Sequence, residues 1–261
     1  MAFFGSIYKI EFPSITTTSL EQRAKEHETL FISIFLQRKR EREKERESKK
    51  KEDGIIYTIM TASSVLPVTI YKGKLYFLFG LENEFEDSAK GFSDFGGGVE
   101  YGENIRQTAL REGGEELTGF LGDGNRLEEH MRKNGGSLQL SFNDYHIRVF
   151  YLKYDPNLPK YYNWNHAFLW ERMNKKMLSK TKLFEKIEIQ WFSVNRINAR
   201  IKEFRSFYQD IVKQLIGPLV KPKILAFVKK CAKKHHTTRG RTQRNKKSKK
   251  TRNKKRTRKN K

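Results

Sequence analysis

The sequence has little that would let the chain be cross-linked, secreted or inserted into a membrane. Cys231 is the only cysteine among 261 residues, so no disulfide can form within the chain, which suits a reducing compartment. The longest apolar stretch near the start, residues 30–36, is far shorter than the roughly 20 residues of a membrane-spanning helix. The N-terminus lacks the basic and apolar regions of a secretory signal. These absences predict a cytoplasmic protein without a transmembrane segment.

Acidic residues are missing from the C-terminal end. From Lys229 to Lys261 the chain has 18 lysines and arginines and no acid, which is most of the net charge of +24. Like charge without apolar periodicity predicts a disordered basic tail over residues 221–261. Such a tail attracts RNA phosphates with salt-dependent affinity. The alternatives are a nuclear-import signal, a packaging or acidic-membrane tether, and a solubilising extension.

The rest of the chain divides by composition. Residues 1–54 read as an arm followed by a charged helix or linker, since residues 37–53 mix nine basic and six acidic residues with no apolar one. Residues 55–220 alternate strand-like and helix-like patterns and form the predicted domain.

Strand and helix patterns in that domain predict an α/β fold in which helices cover both faces of a mixed sheet. A turn signal at Lys72-Gly73 joins two β-rich runs into a hairpin. The predicted strands cover residues 64–71, 74–81, 138–142, 145–154 and 187–194, and the predicted helices cover residues 104–117, 166–177 and 195–216.

Three acidic residues in the first of these helices form a candidate metal site. Glu112, Glu115 and Glu116 are spaced i, i+3 and i+4, so their carboxylates share one helix face. Clustered carboxylates repel one another unless a cation lies among them, and hard oxygen ligands suit Mg²⁺ or Mn²⁺. The alternative is a solvated acidic helix face.

The segment GGGVEYGENIRQTALREGGEELTGFLG resembles the signature box of the Nudix hydrolase family. The matching positions are Gly97, Glu103, Arg111, Glu112, Glu115 and Glu116. The resemblance covers roughly residues 60–216. It implies an α/β/α sandwich around a mixed sheet and hydrolysis of a diphosphate linkage in a nucleotide-linked substrate.

The resemblance also implies roles for individual residues. Glu112 and Glu116 are expected to bind Mg²⁺ or Mn²⁺ and to take part in catalysis, with Glu115 as a third ligand. Arg111 is expected to hold the carboxylates in place. Glu103 is expected to be either a further ligand or a structural partner.

The general base and the glycines are assigned less directly. Members of the family take the base from the box or from a later loop or strand, which makes Glu185 and Glu188 candidates. The alternative for each is an ordinary acid at a strand edge. Gly96 and Gly97 are expected to form a tight turn that shapes the site.

The box departs from the family pattern at three places. Gly113, followed by Gly114, replaces an aliphatic residue, and two glycines inside a helix cost about 2 kcal/mol relative to alanine. The glycine that should end the box is shifted to Gly119. An Asp94-Phe95 pair stands where many members have an aromatic residue and proline.

Substrate choice in this family lies outside the box. Tyr161, Tyr162 and Trp164, close to a lysine, could stack on a base or a methylated cap guanine, whereas the alternative for Trp164 is helix packing. The expected substrate is capped RNA, held near the site by the basic tail. Tail composition is similar to that of some large-DNA-virus proteins, which would suggest decapping. The alternatives are small nucleoside diphosphate derivatives, diphosphoinositol phosphates, or an RNA-binding protein with an inactive Nudix scaffold.

Overall fold

The computed structural model describes residues 61–85, 90–176 and 184–234. The arm and charged run of residues 1–54 and the tail from residue 235 lie outside the described residues, so the expectations for them remain predictions. Within the described ranges, no helix is both long and apolar enough to cross a bilayer.

The described residues contain seven strands that form one mixed sheet. The central strand β1 runs parallel to β6 on one side and antiparallel to β4 and β2 on the other. Antiparallel pairs add β5 to β6, and both β3 and β7 to β2. The strands are β1 (Ala62–Tyr71), β2 (Lys74–Glu82), β3 (Phe92–Ser93), β4 (Phe95–Gly98), β5 (Ser137–Phe142), β6 (Tyr145–Tyr151) and β7 (Lys186–Ser193).

Helices surround this sheet. They are α1 (Ile105–Glu116), α2 (Gly124–Lys133), α3 (Asn157–Arg172), α4 (Val194–Ala199), a 3-10 turn (Ile201–Glu203), α5 (Tyr208–Ile216) and α6, which is described from residue 221 to 234. Helix α1 begins at a capping box in which Asn104 accepts from the Gln107 amide and the Gln107 side chain accepts from the Asn104 amide.

Alternating strand residues divide the core into two layers. On β1, Leu66 packs in a cluster that includes residues of α5 and α6, whereas its neighbour Val65 packs in a second cluster with residues of α1, α2 and α3. Phe77 and Leu78 on β2 are divided in the same way. Because successive side chains of a strand point to opposite faces, helices cover both faces of the sheet. The predicted α/β/α sandwich around a mixed sheet is confirmed.

Two helix predictions were placed wrongly. Helix α3 begins at Asn157, nine residues before the predicted start at residue 166, because Pro159 is tolerated in a first turn. The predicted single helix 195–216 is divided into α4, a 3-10 turn and α5. The break occurs where Phe204 forms a bridge with Phe92, so the helix-like spacing of the apolar residues is satisfied by short separate segments.

The start of the tail is also corrected. Disorder was predicted from residue 221, but residues 221–234 are helical, and Ile224, Val228 and Cys231 of α6 are buried in the core. The apolar residues of this segment recur at helical spacing, but its many lysines make its composition resemble that of a disordered tail. Three elements, β3, β4 and α2, were not predicted from the sequence, because β3 and β4 have only two and four residues and α2 buries only Leu127 and Met131.

Candidate active site

A glycine within helix α1 allows the helix to pack closely against the sheet. A Cβ at Gly113 would be 2.5 Å from Val65 Cγ2 and 3.0 Å from Leu127 Cδ2, so no larger residue fits without a shift. Glycine here costs helix propensity but lets the helix backbone approach β1. This approach explains the departure at residue 113 and brings Glu112 and Glu116 over the neighbouring strand β4.

The two glycines that lead into the box belong to strand β4 rather than to a tight turn, which corrects the predicted conformation. The Gly96 amide donates to Glu116 Oε2 at 2.7 Å. A Cβ at Gly97 would be 2.6 Å from Glu112 Oε1, and one at Gly96 would be 2.2 Å from Ser64 Cβ. Both glycines therefore allow close approach, and the strand leaves room for the Glu112 carboxylate.

Arg111 holds the acidic residues on the outer side of this cluster. Its guanidinium binds Glu103 with two hydrogen bonds, of 2.7 and 3.0 Å, and donates to Glu112 Oε1 at 2.7 Å. Glu100 and Glu115 lie 3.3 and 3.4 Å from the same guanidinium. Burial disfavours the charge, but these carboxylates, with Glu103 first, raise the pKa of Arg111 above its ordinary value. This geometry fits the role expected for Arg111.

The hydrogen bonds of Glu103 favour the structural one of its two expected roles. Burial raises the pKa of Glu103, but the hydrogen bonds from Arg111 and Thr108 outweigh burial and leave the pKa below its usual range. Thr108 Oγ1 donates to Glu103 Oε2 at 2.8 Å, and the Glu100 amide donates to the same oxygen at 3.3 Å. Glu103 therefore links Arg111, the start of α1 and the preceding loop.

A buried lysine on β7, which the sequence analysis missed, lies on the inner side of the cluster. Lys186 is fully buried, and its Nζ lies 3.3 Å from Glu116 Oε1 and 2.8 Å from Ser93 Oγ. It also contacts the buried Glu82, whose Oε1 binds Arg205 Nη1 at 2.5 Å. Lys186 and Arg205 therefore supply the counter-charges for Glu82 and Glu116.

Space for the lysine stem comes from a glycine in the interior of β2. A Cβ at Gly80 would lie 2.9 Å from Lys186 Cγ and Cδ and 3.0 Å from Phe95 Cε1. A glycine inside a strand often marks close approach of another group, and here the group is a buried cation. In the sequence, Gly80 is the only indication that another group approaches this strand closely, and it does not identify that group as Lys186.

Burial dominates the electrostatics of the two inner acids. It raises the pKa of Glu116 well above its ordinary value, Lys186 opposes the shift, and Glu82, Glu185 and Glu112 reinforce it. Burial likewise raises the pKa of Glu112, while Arg111 opposes that shift. Both carboxylates would gain from an additional cation.

The fit to a divalent cation follows from the donor set. Six carboxylates surround three cations in this network, which consists of Glu82, Glu100, Glu103, Glu112, Glu115, Glu116, Arg111, Lys186 and Arg205. Within the described ranges, no group of three or more His, Cys, Asp or Glu side chains is already arranged as a metal cage. The excess of hard oxygen ligands, and the space that Gly97 leaves at Glu112, nevertheless fit Mg²⁺ or Mn²⁺.

The two candidate bases lie in different surroundings. Glu185 is near enough to Glu116 to raise the pKa of that carboxyl. Glu188 interacts instead with Arg200 and Arg196; burial raises its pKa, and these arginines oppose the shift. A bulge in the pairing of β2 with β7 separates residues 186 and 188. The structure therefore brings Glu185, but not Glu188, towards the carboxylates.

The three aromatic residues expected to bind substrate also differ. Tyr162 is buried, and its hydroxyl lies 2.8 Å from the backbone oxygen of Glu116 and 2.9 Å from that of Lys186. Its predicted role as a base-stacking residue is wrong, because it connects α3 to the ends of α1 and β7. Tyr161 and Trp164 are 59% and 61% exposed, and Lys160 Nζ lies 4.4 Å from the Trp164 ring centre.

No protein-family model and no curated protein sequence matches this chain. Among solved structures, it aligns with an Ap4A hydrolase of C. elegans at 14% identity and a TM-score of 0.34, over 60% of this chain and 95% of that chain. It aligns with the MutT protein of Methanosarcina mazei Go1 at 16% identity and a TM-score of 0.33, over 59% and 91%. A Nudix hydrolase from Nitrosomonas europaea aligns at 17% identity and a TM-score of 0.26, over 69% and 89%. Identities and TM-scores this low establish no activity.

Proposed function

We propose that this protein is a metal-dependent hydrolase of a diphosphate linkage in a nucleotide-linked substrate. The observation that carries the proposal is the meeting of Glu112 and Glu116 over the glycine strand β4, where the Gly96 amide donates to Glu116 and a Cβ at Gly97 would meet Glu112. These residues occupy the box positions at which the Nudix family binds metal. Arg111 orients the outer carboxylates of the same helix.

The metal ligands in this proposal are Glu112 and Glu116, with Glu115 as the third. Glu115 is the most exposed of the three, with 38% of its side chain accessible, so it can turn towards a bound ion at low cost. Bound Mg²⁺ or Mn²⁺ would neutralise phosphate charge and lower the pKa of the attacking water. Glu185 is the favoured general base because its charge acts on Glu116, raising the pKa of that carboxyl, whereas Glu188 interacts with arginines.

Capped RNA is the favoured substrate within this class, and the reaction would then be decapping. Tyr161 and Trp164 are exposed on α3, and a lysine lies over the tryptophan ring, which is a suitable surface for stacking a base. Residues 229–261 supply 18 positive charges that attract phosphates. A tethered RNA would have a raised local concentration at the site.

A product assay tests this proposal. Purified protein is incubated with labelled capped RNA and Mg²⁺ or Mn²⁺, and release of methylated guanosine diphosphate is measured. Glu112→Gln and Glu116→Gln should each lower turnover by about 100-fold or more while leaving the fold intact. The control Asp210→Asn removes an exposed carboxylate on α5 and should leave turnover unchanged. Near-wild-type turnover in both glutamine variants would contradict the assignment.

The same product assay distinguishes the proposal from two alternatives. Cleavage of nucleoside diphosphate derivatives or diphosphoinositol phosphates, but not of capped RNA, would favour a small substrate. RNA binding without cleavage of any substrate would favour an inactive scaffold. Truncation should follow residue 234, because Cys231 of α6 is buried. Loss of residues 235–261 should slow turnover of long RNA and spare small nucleotides, and an equal effect on both would exclude the tether.

A further inference from the structure

A second charged surface lies on a different face of α1 from the acidic cluster. A groove of about 830 Å³ is bordered by α1, α2 and the strands β5 and β6. Arg106 on α1, Arg132 on α2 and Arg148 on β6 line it. Glu112 and Glu116, in contrast, lie against β4, so the groove is not part of the proposed catalytic site.

The acidic residues of the groove are already compensated, whereas two of its arginines are not. Glu128 forms an ion pair with Arg106, and Glu129 pairs with Lys133 at 2.8 Å. Neither Arg132 nor Arg148 forms an ion pair with any carboxylate of the described residues. Arg148 therefore has no carboxylate paired with it among the described residues, and Arg132 has only the longer-range attraction of Glu129.

Arg148 is the more significant of the two because it is half-buried in the sheet. Its Nη1 donates to Ser137 Oγ at 3.0 Å and its Nη2 to Gln139 Oε1 at 3.5 Å, both neutral acceptors. Its Nε is buried without a hydrogen-bond partner within the described residues. Burial, followed by repulsion from Arg106, lowers the pKa of Arg148. A guanidinium under these conditions is costly unless an anion compensates it.

We propose that this groove binds a phosphate group, with Arg148 at its floor and Arg132 at its rim. A planar guanidinium presents paired donors that match phosphate oxygens, and Ser137 adds a hydroxyl beside Arg148. The phosphate can belong to a free oligophosphate or to an RNA backbone, since both present the same oxygens. The proposal does not depend on the catalytic one.

The test is arginine modification by phenylglyoxal in the intact, metal-free protein, read peptide by peptide by mass spectrometry. A site-resolved measurement is required because the basic tail also binds phosphates. The probes are inorganic tripolyphosphate and a short RNA with a 5′-hydroxyl. At about ten times the dissociation constant of the probe, modification of Arg132 should slow about tenfold, because only unbound protein reacts. Arg126, an exposed arginine of α2 outside the groove, is the internal control.

Variants make the test specific. Arg148→Gln should abolish the protection of Arg132, whereas Arg126→Gln should preserve it. Protection by both probes supports a site for any phosphate, and protection by one probe alone identifies its source. Equal rates with and without both probes, or equal slowing of Arg126 and Arg132, would overturn the proposal. If Arg148→Gln fails to fold, the comparison of Arg126 with Arg132 in the wild-type protein still decides.

Discussion

Replacing Lys186 by methionine tests whether the buried lysine supports the acidic cluster. Methionine keeps most of the unbranched stem beside Gly80 but removes the ammonium that contacts Glu82, Glu116 and Ser93. Removing one partner of a buried ion pair costs about 3–5 kcal/mol, because the other charge is left in a medium of low dielectric constant. Glu82 keeps Arg205 at 2.5 Å. The uncompensated charge therefore falls mainly on Glu116.

The remaining Arg205 contact favours the lower part of that range, so we expect a loss of about 3–4 kcal/mol in the free energy of unfolding at pH 7.5. The loss should shrink as the pH falls. A carboxyl whose pKa is higher in the folded than in the unfolded state takes up a proton on folding, so stability rises as the pH decreases towards the unfolded pKa. The pKa of Glu116 is already raised, and removal of Lys186 raises it further.

Urea unfolding followed by tryptophan fluorescence at pH 7.5 and pH 5 measures both effects. The control Lys133→Met removes a lysine whose side chain is 66% exposed and which pairs with the exposed Glu129, and a surface pair of this kind contributes little to the free energy of unfolding. A loss below about 1 kcal/mol for Lys186→Met, or an equal loss at the two pH values, would refute the argument.

Three further predictions concern the surroundings of the site. Gly113→Ala should lower the free energy of unfolding in urea by about 1–3 kcal/mol, because the added Cβ meets Val65 and this clash outweighs alanine's higher helix propensity. A stabilised variant would contradict the packing argument. Gly114→Ala, with its nearest contact at 3.1 Å, should cost less. His166 is buried, and burial lowers its pKa from 6.5 to about 4, so the folded state disfavours the charged imidazole. The free energy of unfolding should therefore fall by roughly 3 kcal/mol as the pH decreases from 7 to 4. His166→Gln should reduce this acid sensitivity, and an unchanged pH dependence would count against the argument. Tyr162→Phe removes the hydroxyl donor near two buried backbone oxygens, which should reduce the free energy of unfolding by about 1–3 kcal/mol and lower the melting temperature. An unchanged melting temperature would argue against the link from α3.

The sheet and its two helical layers could be predicted because most of their strands and helices have recognisable local sequence patterns. Two β-rich runs on either side of the Lys72-Gly73 turn predicted the hairpin, and the helix-like pattern from about residue 104 predicted α1. Residues 195–216 could not be resolved by periodicity, because the bridge between Phe204 and Phe92 is a contact between distant parts of the chain. Helix α6 was missed because its lysines dominate the composition.

The acidic cluster could be predicted because all its helical residues lie close together in the sequence. Glu112 and Glu116 share a face at helical spacing, and Arg111 adjoins them. Lys186 could not be predicted as their partner, because the strand pattern around it does not show whether a lysine points into the core. The bulge between β2 and β7 determines that orientation, and it is a property of the folded pair of strands.

The counter-charges change the argument for a metal. Three carboxylates on one helix face repel one another, but Arg111 and Lys186 already supply two cations, so repulsion among Glu112, Glu115 and Glu116 is not sufficient evidence for metal binding. What remains is the excess of acids over basic partners in the whole network, together with the raised pKa of both inner carboxyls. A bound divalent ion should therefore lower the pKa of Glu112 and Glu116 and release protons. Calorimetric titration with Mn²⁺ in buffers of different ionisation enthalpy measures that release, and binding without proton release would mean that both carboxylates are already fully ionised.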